Sequence, residues 1–166
     1  MTHSRTLILS PEQIKLKLQR MVYQIWEQNA NQTELIMIGI ADNGIVLAKL
    51  LAEKLESISP IKVKLLSLSF DKSTPLQNLP DIEENLDGKS ILLVDDVANS
   101  GKVLLYALRP VLAYFPSKIS MAVLVDRKHK SYPVNPEIVG HSLSTTLQEN
   151  ITVESDGSTL TGVYLD

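Results

Sequence analysis

The sequence contains no cysteine and few aromatics, 5% of its residues, with a single tryptophan. Without thiols there is neither a disulfide framework nor a thiolate metal site. Charge of neither sign dominates: 16 Lys and Arg stand against 19 Asp and Glu, a formal net charge of -3. A protein that coats nucleic acid without selectivity needs a basic excess, so that class is excluded, although a local basic patch is not. No apolar run approaches the ~20 residues of a membrane span. The opening "MTHSRTLILSPEQ" lacks the apolar stretch of a signal peptide. The expectation is a cytoplasmic protein with no membrane partner. What is present, 44% hydrophobic and 21% charged residues in 166, suits one domain over residues 1–166 with a real core.

The pattern along the chain alternates. "SPEQIKLKLQRMVYQIWEQ" begins with a capping serine, a proline at the first helical position and Gln13 where a capping box needs it. Ile14, Leu18, Met21, Val22 and Ile25 keep helical spacing. "ELIMIGI" (34–40) is a continuous apolar run of the kind a doubly buried strand shows. "GIVLAKLLAEKLES" predicts a helix, "IKVKLLSLSF" a strand, "KVLLYALRPVLAYF" a helix and "KISMAVLVD" a strand. Strand and helix in alternation imply parallel pairing with right-handed crossovers, an α/β fold. The last third reads differently. "SYPVNPEIVGHSLSTT" is loop-rich, and "ITVESDGSTLTGVYL" predicts a hairpin turning at Asp156-Gly157.

Two loops occupy equivalent places between a buried strand and a helix: "GIADNG" (39–44) and "DDVANSG" (95–101). In an open parallel sheet, ligands bind outside the carboxyl ends of the strands. The second loop enters a helix N-terminus, where unpaired N–H groups and the positive dipole end suit a phosphate. Asp95 and Asp96 precede it, and adjacent carboxylates repel unless water or a positive partner separates them. Carboxylates accept hydrogen bonds from sugar hydroxyls and hold Mg²⁺, directly or through water. A sugar phosphate with a metal-chelated second phosphate matches these parts together. Taken alone, the acid pair also suits a plain strand end. A Walker loop fails on spacing, because Asp96 stands where its first glycine belongs and Val103 follows Lys102. A receiver domain needs its acid pair near the chain start, and a nucleophilic hydrolase lacks both cysteine and a G-x-S-x-G elbow. His129 and His141 have no metal-site spacing.

"ILLVDDVANSGKV" (91–103) resembles the phosphoribosyl-pyrophosphate signature of the type I phosphoribosyltransferases. "IMIGIADNGIVLAKLLAEKL" resembles their pyrophosphate loop and its helix, and "MAVLVDRKHKSYPVNPEIVGHSLSTT" their base-binding segment. Within that family the likeness is greatest to the pyrimidine-operon attenuators with uracil phosphoribosyltransferase activity. It covers nearly the whole chain in order. The resemblance implies a parallel-sheet fold with a covering flap over about residues 70–88 and a C-terminal hairpin. It implies that Asp95 and Asp96 are the catalytic acids under the ribose and the holders of Mg²⁺. Ala98, Asn99, Ser100, Gly101 and Lys102 would wrap the 5-phosphate, and Ala41, Asp42, Asn43 and Gly44 would form the pyrophosphate loop. Val139, Gly140 and His141 would present backbone to the base, with Arg127 and Lys130 reaching substrate phosphates; by itself the basic run 127–130 also reads as a solvated loop.

The implied activity is transfer of ribose 5-phosphate from phosphoribosyl pyrophosphate to a pyrimidine base, uracil in the first instance. The alternative is an RNA-binding or nucleotide-sensing regulator of pyrimidine genes with weak or no catalysis. RNA would need a basic face, for which Lys15, Lys17, Arg20, Lys128 and Lys130 are the candidates, and it ranks second. Members of the family commonly pair, and the apolar "VLLYALRPVLAYF" helix predicts a homodimer or larger assembly. The chain departs from the family pattern at Asp42-Asn43 in place of Thr-Arg and at Val103 in place of Thr. Asn99 stands where purine-specific relatives carry an aspartate. An amide is no general base, which argues against a purine. Asp71 replaces a flap tyrosine.

Overall fold

The structure is a computed structural model and describes residues 4–74, 77 and 79–166. Five parallel strands form the main sheet: β2 (Glu34–Ile40), β3 (Lys62–Leu68), β4 (Ser90–Ala98), β5 (Lys118–Arg127) and β6 (Ile138–Leu143), in the order β3-β2-β4-β5-β6. Among the described residues it is accompanied by the helices α1 (Pro11–Gln28), α2 (Asn43–Ile58) and α3 (Lys102–Val111). From β2 the chain passes to β3 on one side of it, and β4, reached after β3, lies on the other. The switch point therefore falls between the carboxyl ends of β2 and β4, where a crevice opens in such sheets. Residues 41–43 and 99–101 stand at its two lips.

Side-chain alternation explains the two cores. Leu35 and Met37 on β2 join Leu92 and Val94 on β4 in a cluster under α1 and α2. Ile36, Ile38 and Ile40 face the other way with Ile91 and Leu93, against Leu104, Ala107 and Val111 of α3. Period-two alternation thus buries both faces of a central strand. At the start of α1 the capping box closes as the sequence predicts: Gln13 N–H donates to Ser10 Oγ at 3.2 Å and Ser10 N–H to Gln13 Oε1 at 2.9 Å.

The structure corrects several expectations. The segment read as loop-rich contains β6, paired in parallel register with β5 from Ala122↔Ile138 to Arg127↔Leu143. Prolines and a glycine hid it, because an edge strand tolerates such residues where a central strand does not. The hairpin of β7 (Ile151–Ser155) and β8 (Leu160–Leu165) is present, but it is two strands of a three-stranded sheet completed by β1 (Thr6–Leu9). Four residues were too few for periodicity to mark β1. The predicted helix to Phe115 ends at Val111, one residue after Pro110. Leu112 and Phe115 then turn outward, 62% and 85% exposed. Lastly, the acid pair lies inside β4 rather than after it, since β5 continues alongside and pairs Val97↔Val125 and Ala98↔Asp126.

One buried amide joins helix to sheet. Asn29, fully buried after the last turn of α1, donates from Nδ2 to the Ile25 carbonyl at 2.9 Å and accepts from Ser90 Oγ at 2.9 Å. Ser90 begins β4 and is itself buried. Asn29→Ala would leave a hydroxyl and a carbonyl without partners, and the expected loss of folding stability is about 1–3 kcal/mol. Urea unfolding measures it. A loss below about 0.5 kcal/mol would show that the amide is not the tie between α1 and β4.

Candidate functional site

β4 carries the acids into the crevice. Asp95 is 1% exposed, and its Oδ1 accepts from the Asp96 N–H at 2.8 Å and from Lys72 Nζ at 2.9 Å. Its Oδ2 is buried with no hydrogen-bond partner. Asp96 is more open: Oδ1 accepts from the Val97 N–H at 2.8 Å and lies 3.7 Å from Lys72 Nζ, while Oδ2 accepts from Asn43 Nδ2 at 3.4 Å. Burial pushes the Asp95 carboxyl up to about 8, the neighbouring Asp96 adds to this, and Lys72 only partly offsets it. For Lys72, burial alone would lower the pKa, but attraction to Asp95 and then Asp96 leaves it raised. Two acids and one lysine carry an excess negative charge, and the more buried acid is where a proton settles.

Beyond the acids, the chain turns through Asn99 and Ser100 to Gly101, which caps α3 with φ 88°. A side chain there would be strained, and its Cβ would lie 2.5 Å from Val134 Cγ2, so glycine is required on both counts. The loop is fixed from behind: the Ser100 carbonyl accepts from the N–H groups of Ser131 and Tyr132 at 3.0 and 3.1 Å. The first N–H groups of α3 have no intrahelical acceptor by construction. They sit beside a cavity of about 220 Å³ lined by Lys72, the run from Asp95 to Leu104, and Ile151. The structure thus brings Asp95, Asp96, Ala98, Asn99, Ser100, Gly101 and Lys102 together around one space.

A second cavity of about 340 Å³ adjoins it, lined by Ala41, Asp42, Asn43, Phe70, Asp71, Lys72 and Asp96. Asp42 holds φ 53° and ψ -102°, a conformation that strains a residue with a Cβ, and it makes no side-chain cap bond to α2. Asn43 reaches across to the second sheet, donating from Nδ2 to the Val153 carbonyl at 2.8 Å. Gly44 lies so near β4 that a Cβ would be 2.9 Å from the Val94 carbonyl and 3.1 Å from Asp95 Oδ1. Asp71 accepts from Ser73 through both hydroxyl and N–H, which hold its carboxyl below the usual range.

Other predicted site residues are placed elsewhere. Arg127 donates from Nη2 to the carbonyls of Thr146 and Glu149, so it pins the loop after β6 instead of facing a cavity. Lys130 pairs with Asp126 and donates to the Arg127 carbonyl at 2.6 Å. The carbonyls of Val139 and Gly140 accept from Arg20 Nη2 at 3.0 and 2.6 Å, which lays the exposed Arg20 against the edge of β6. His141 pairs with Val125 in the sheet, its pKa lowered by burial and then by Lys17. None of Arg127, Lys130, Val139, Gly140 and His141 lines either cavity. In the expected flap, residues 75, 76 and 78 lie outside the described residues. Of the rest, Phe70, Asp71 and Lys72 reach the cavities, while Leu79 and Ile82 pack on the core beneath α3. The reading from sequence missed Lys72. Its signal was available, as the one basic residue in an acidic stretch from 70 to 85.

A family model described as phosphoribosyl transferase domain matches residues 4–156. A relative named "Bifunctional protein PyrR" from Synechocystis is 34% identical over 157 residues, 88% of this chain and 87% of its own length. "Bifunctional protein PyrR 1" from Lactiplantibacillus plantarum is 36% identical over 155 residues, 84% of this chain and 86% of its own. Among solved structures, the hypoxanthine phosphoribosyltransferase of Trypanosoma cruzi aligns with a TM-score of 0.79 at 14% identity, over 96% of this chain and 95% of that one. That last likeness is one of fold.

The raised Asp95 pKa makes stability depend on pH. Between the ordinary 3.8 and about 8 the folded chain binds more protons than the unfolded one. Stability therefore falls as pH rises through that window. Asp95→Asn should remove this slope. In the absence of divalent metal it should gain on the order of 2 kcal/mol relative to wild type between pH 5 and 8, read by urea unfolding at each pH. Parallel pH profiles for the two proteins would mean that Asp95 is ionised at neutral pH.

Proposed function

This chain belongs to the phosphoribosyl transferase family, and from that membership we propose that it transfers ribose 5-phosphate from phosphoribosyl pyrophosphate to a pyrimidine base, uracil in particular. The observation that carries the reading is the continuous run on β4: two carboxylates, a turn through left-handed Gly101, and the N-terminus of α3, all around one cavity. In this reading the 5-phosphate lies on residues 98–102, with backbone N–H groups as its main donors. Asp95 and Asp96 lie under the ribose and accept from its hydroxyls. The pyrophosphate extends toward the second cavity and residues 41–44.

The residues also fit Mg²⁺. Asp95 Oδ2 is a buried carboxylate oxygen lacking a partner, and Asp96 stands beside it. Among the described residues no third acid or histidine completes a cage, which suits an ion that keeps waters and substrate phosphate oxygens in its shell. When bound, Mg²⁺ would supply charge neutralisation on the pyrophosphate. The protein's own contribution is electrostatic. As a base nitrogen bonds to C1 and the bond from C1 to the pyrophosphate oxygen breaks, the ring gains positive charge and the leaving group negative charge. Fixed carboxylates below the ring stabilise the first, and preorganised N–H donors hold the phosphate end still. Asn99 offers an amide where a purine transferase would need a base.

One observation favours the second reading, a nucleotide-sensing or RNA-binding regulator with weak catalysis. The cavity expected to take pyrophosphate is lined by three acids, Asp42, Asp71 and Asp96, and Asn43 is tied to Val153. Catalysis is therefore slow, and replacing the acid should speed it. Conversion of uracil with saturating Mg²⁺ should rise roughly tenfold in the variant Asp42→Thr with Asn43→Arg, equivalent to about 1.4 kcal/mol of transition-state stabilisation. Val103→Thr should improve substrate affinity alone, because the 5-phosphate does not change during the reaction. No uracil conversion by either wild type or the loop variant would sink the transferase reading and leave the regulator.

A further inference from the structure

Lys72 forms the wall between the two cavities. Its ammonium lies 2.9 Å from Asp95 Oδ1 and 3.7 Å from Asp96 Oδ1, and its side chain lines both spaces. In the cavity beside residues 41–43 it is, among the described residues, the one cation facing Asp42, Asp71 and Asp96. The loop itself brings no positive side chain: position 43 is an amide whose Nδ2 serves the Val153 carbonyl and Asp96. A multiply charged anion placed there would meet three carboxylates and needs a compensating cation close by. Lys72 has the reach for this. Its side chain is 37% exposed rather than packed in place, and an ammonium on a four-carbon stem moves several ångströms without moving its backbone.

We propose that Lys72 is a pyrophosphate-binding residue held in waiting on the acid pair. In the free protein its ammonium rests against Asp95 and Asp96. With those carboxylates engaged by bound substrate, the Lys72 ammonium would be released into the adjoining cavity, where it would pair with the pyrophosphate. One set of charge pairs is exchanged for another, and no covalent bond changes. The exchange accounts for two facts at once: a pyrophosphate loop without a cation, and a lysine in an otherwise acidic segment. The inference rests on the transferase reading of the same site and adds the residue that supplies the missing positive charge.

Calorimetric titration tests it with two probes, Mg²⁺ alone and magnesium pyrophosphate, on wild type, Lys72→Met and Lys72→Arg. In Lys72→Met the affinity for magnesium pyrophosphate should fall roughly tenfold, the scale of one lost charge-assisted contact. Mg²⁺ alone should bind at least as tightly as to wild type, because its competitor for the carboxylates is gone. Lys72→Arg should keep pyrophosphate affinity within roughly threefold, having kept the charge. A parallel loss of both probes in Lys72→Met would make the lysine a structural counter-ion and overturn the proposal, as would an unchanged pyrophosphate affinity. Lys72→Gln gives the same comparison if the methionine variant fails to fold. A wild type that binds magnesium pyrophosphate but not phosphoribosyl pyrophosphate would sink the functional reading while leaving this test intact. Binding of both by wild type, with pyrophosphate unaffected by Lys72→Met, would sink the Lys72 proposal alone.

Discussion

A carboxyl group buried in the middle of a parallel sheet is the constraint around which this molecule is arranged. Asp95 is almost wholly shielded from water, has a second carboxylate as its chain neighbour, and keeps one oxygen without a partner. Such a group costs stability, since burial disfavours its charged form and the neighbour adds to the penalty. Nothing in the packing of β4 demands an acid at that position; the residues before it, from Ile91 to Val94, are apolar and fill both cores. The cost is compensated in the free protein by Lys72 and by a raised proton affinity. A site arranged this way is prepared for a cationic or hydroxyl-bearing ligand.

The rest of the crevice follows from the same strand. The switch in strand order places residues 41–43 next to the acids, and Gly44 permits α2 to begin against β4. Asn43 then ties that loop to β7, so the small antiparallel sheet helps hold the lip of the site. On the other side, Ser131 and Tyr132 hold the turn at Ser100 in place. The site is rigid where a 5-phosphate would sit and adjustable where Lys72 stands. That division suits a reaction in which the phosphate end stays fixed while charge develops at the ribose and on the leaving group.

Much of this was legible in the sequence. Long apolar runs such as 34–40 and 91–94 can only be central strands, and the capped opening of α1 leaves little choice about where it starts. The acid pair and the glycine-ended loop are contiguous in sequence, so their chemistry could be read directly. What escaped the reading depends on distant pairing. β1 and β6 are short edge strands whose partners, not whose residues, make them strands. Lys72 meets Asp95 across 23 positions, and Asn43 meets Val153 across 110. The family resemblance implied that Arg127 and Lys130 reach substrate phosphates; in the structure each has acceptors in its own neighbourhood. Arg20 likewise gives its guanidinium to the edge of β6.

The central claim is that the space between Asp95, Asp96 and residues 98–102 is a cradle for phosphoribosyl pyrophosphate. Calorimetric titration of the wild-type protein with that compound, with and without Mg²⁺, tests it most directly. The account predicts saturable binding of one molecule per chain that depends on Mg²⁺ and disappears when Asp95 and Asp96 are both changed to Asn. Binding that is indifferent to Mg²⁺ and to those two substitutions, or no binding at all, would contradict it.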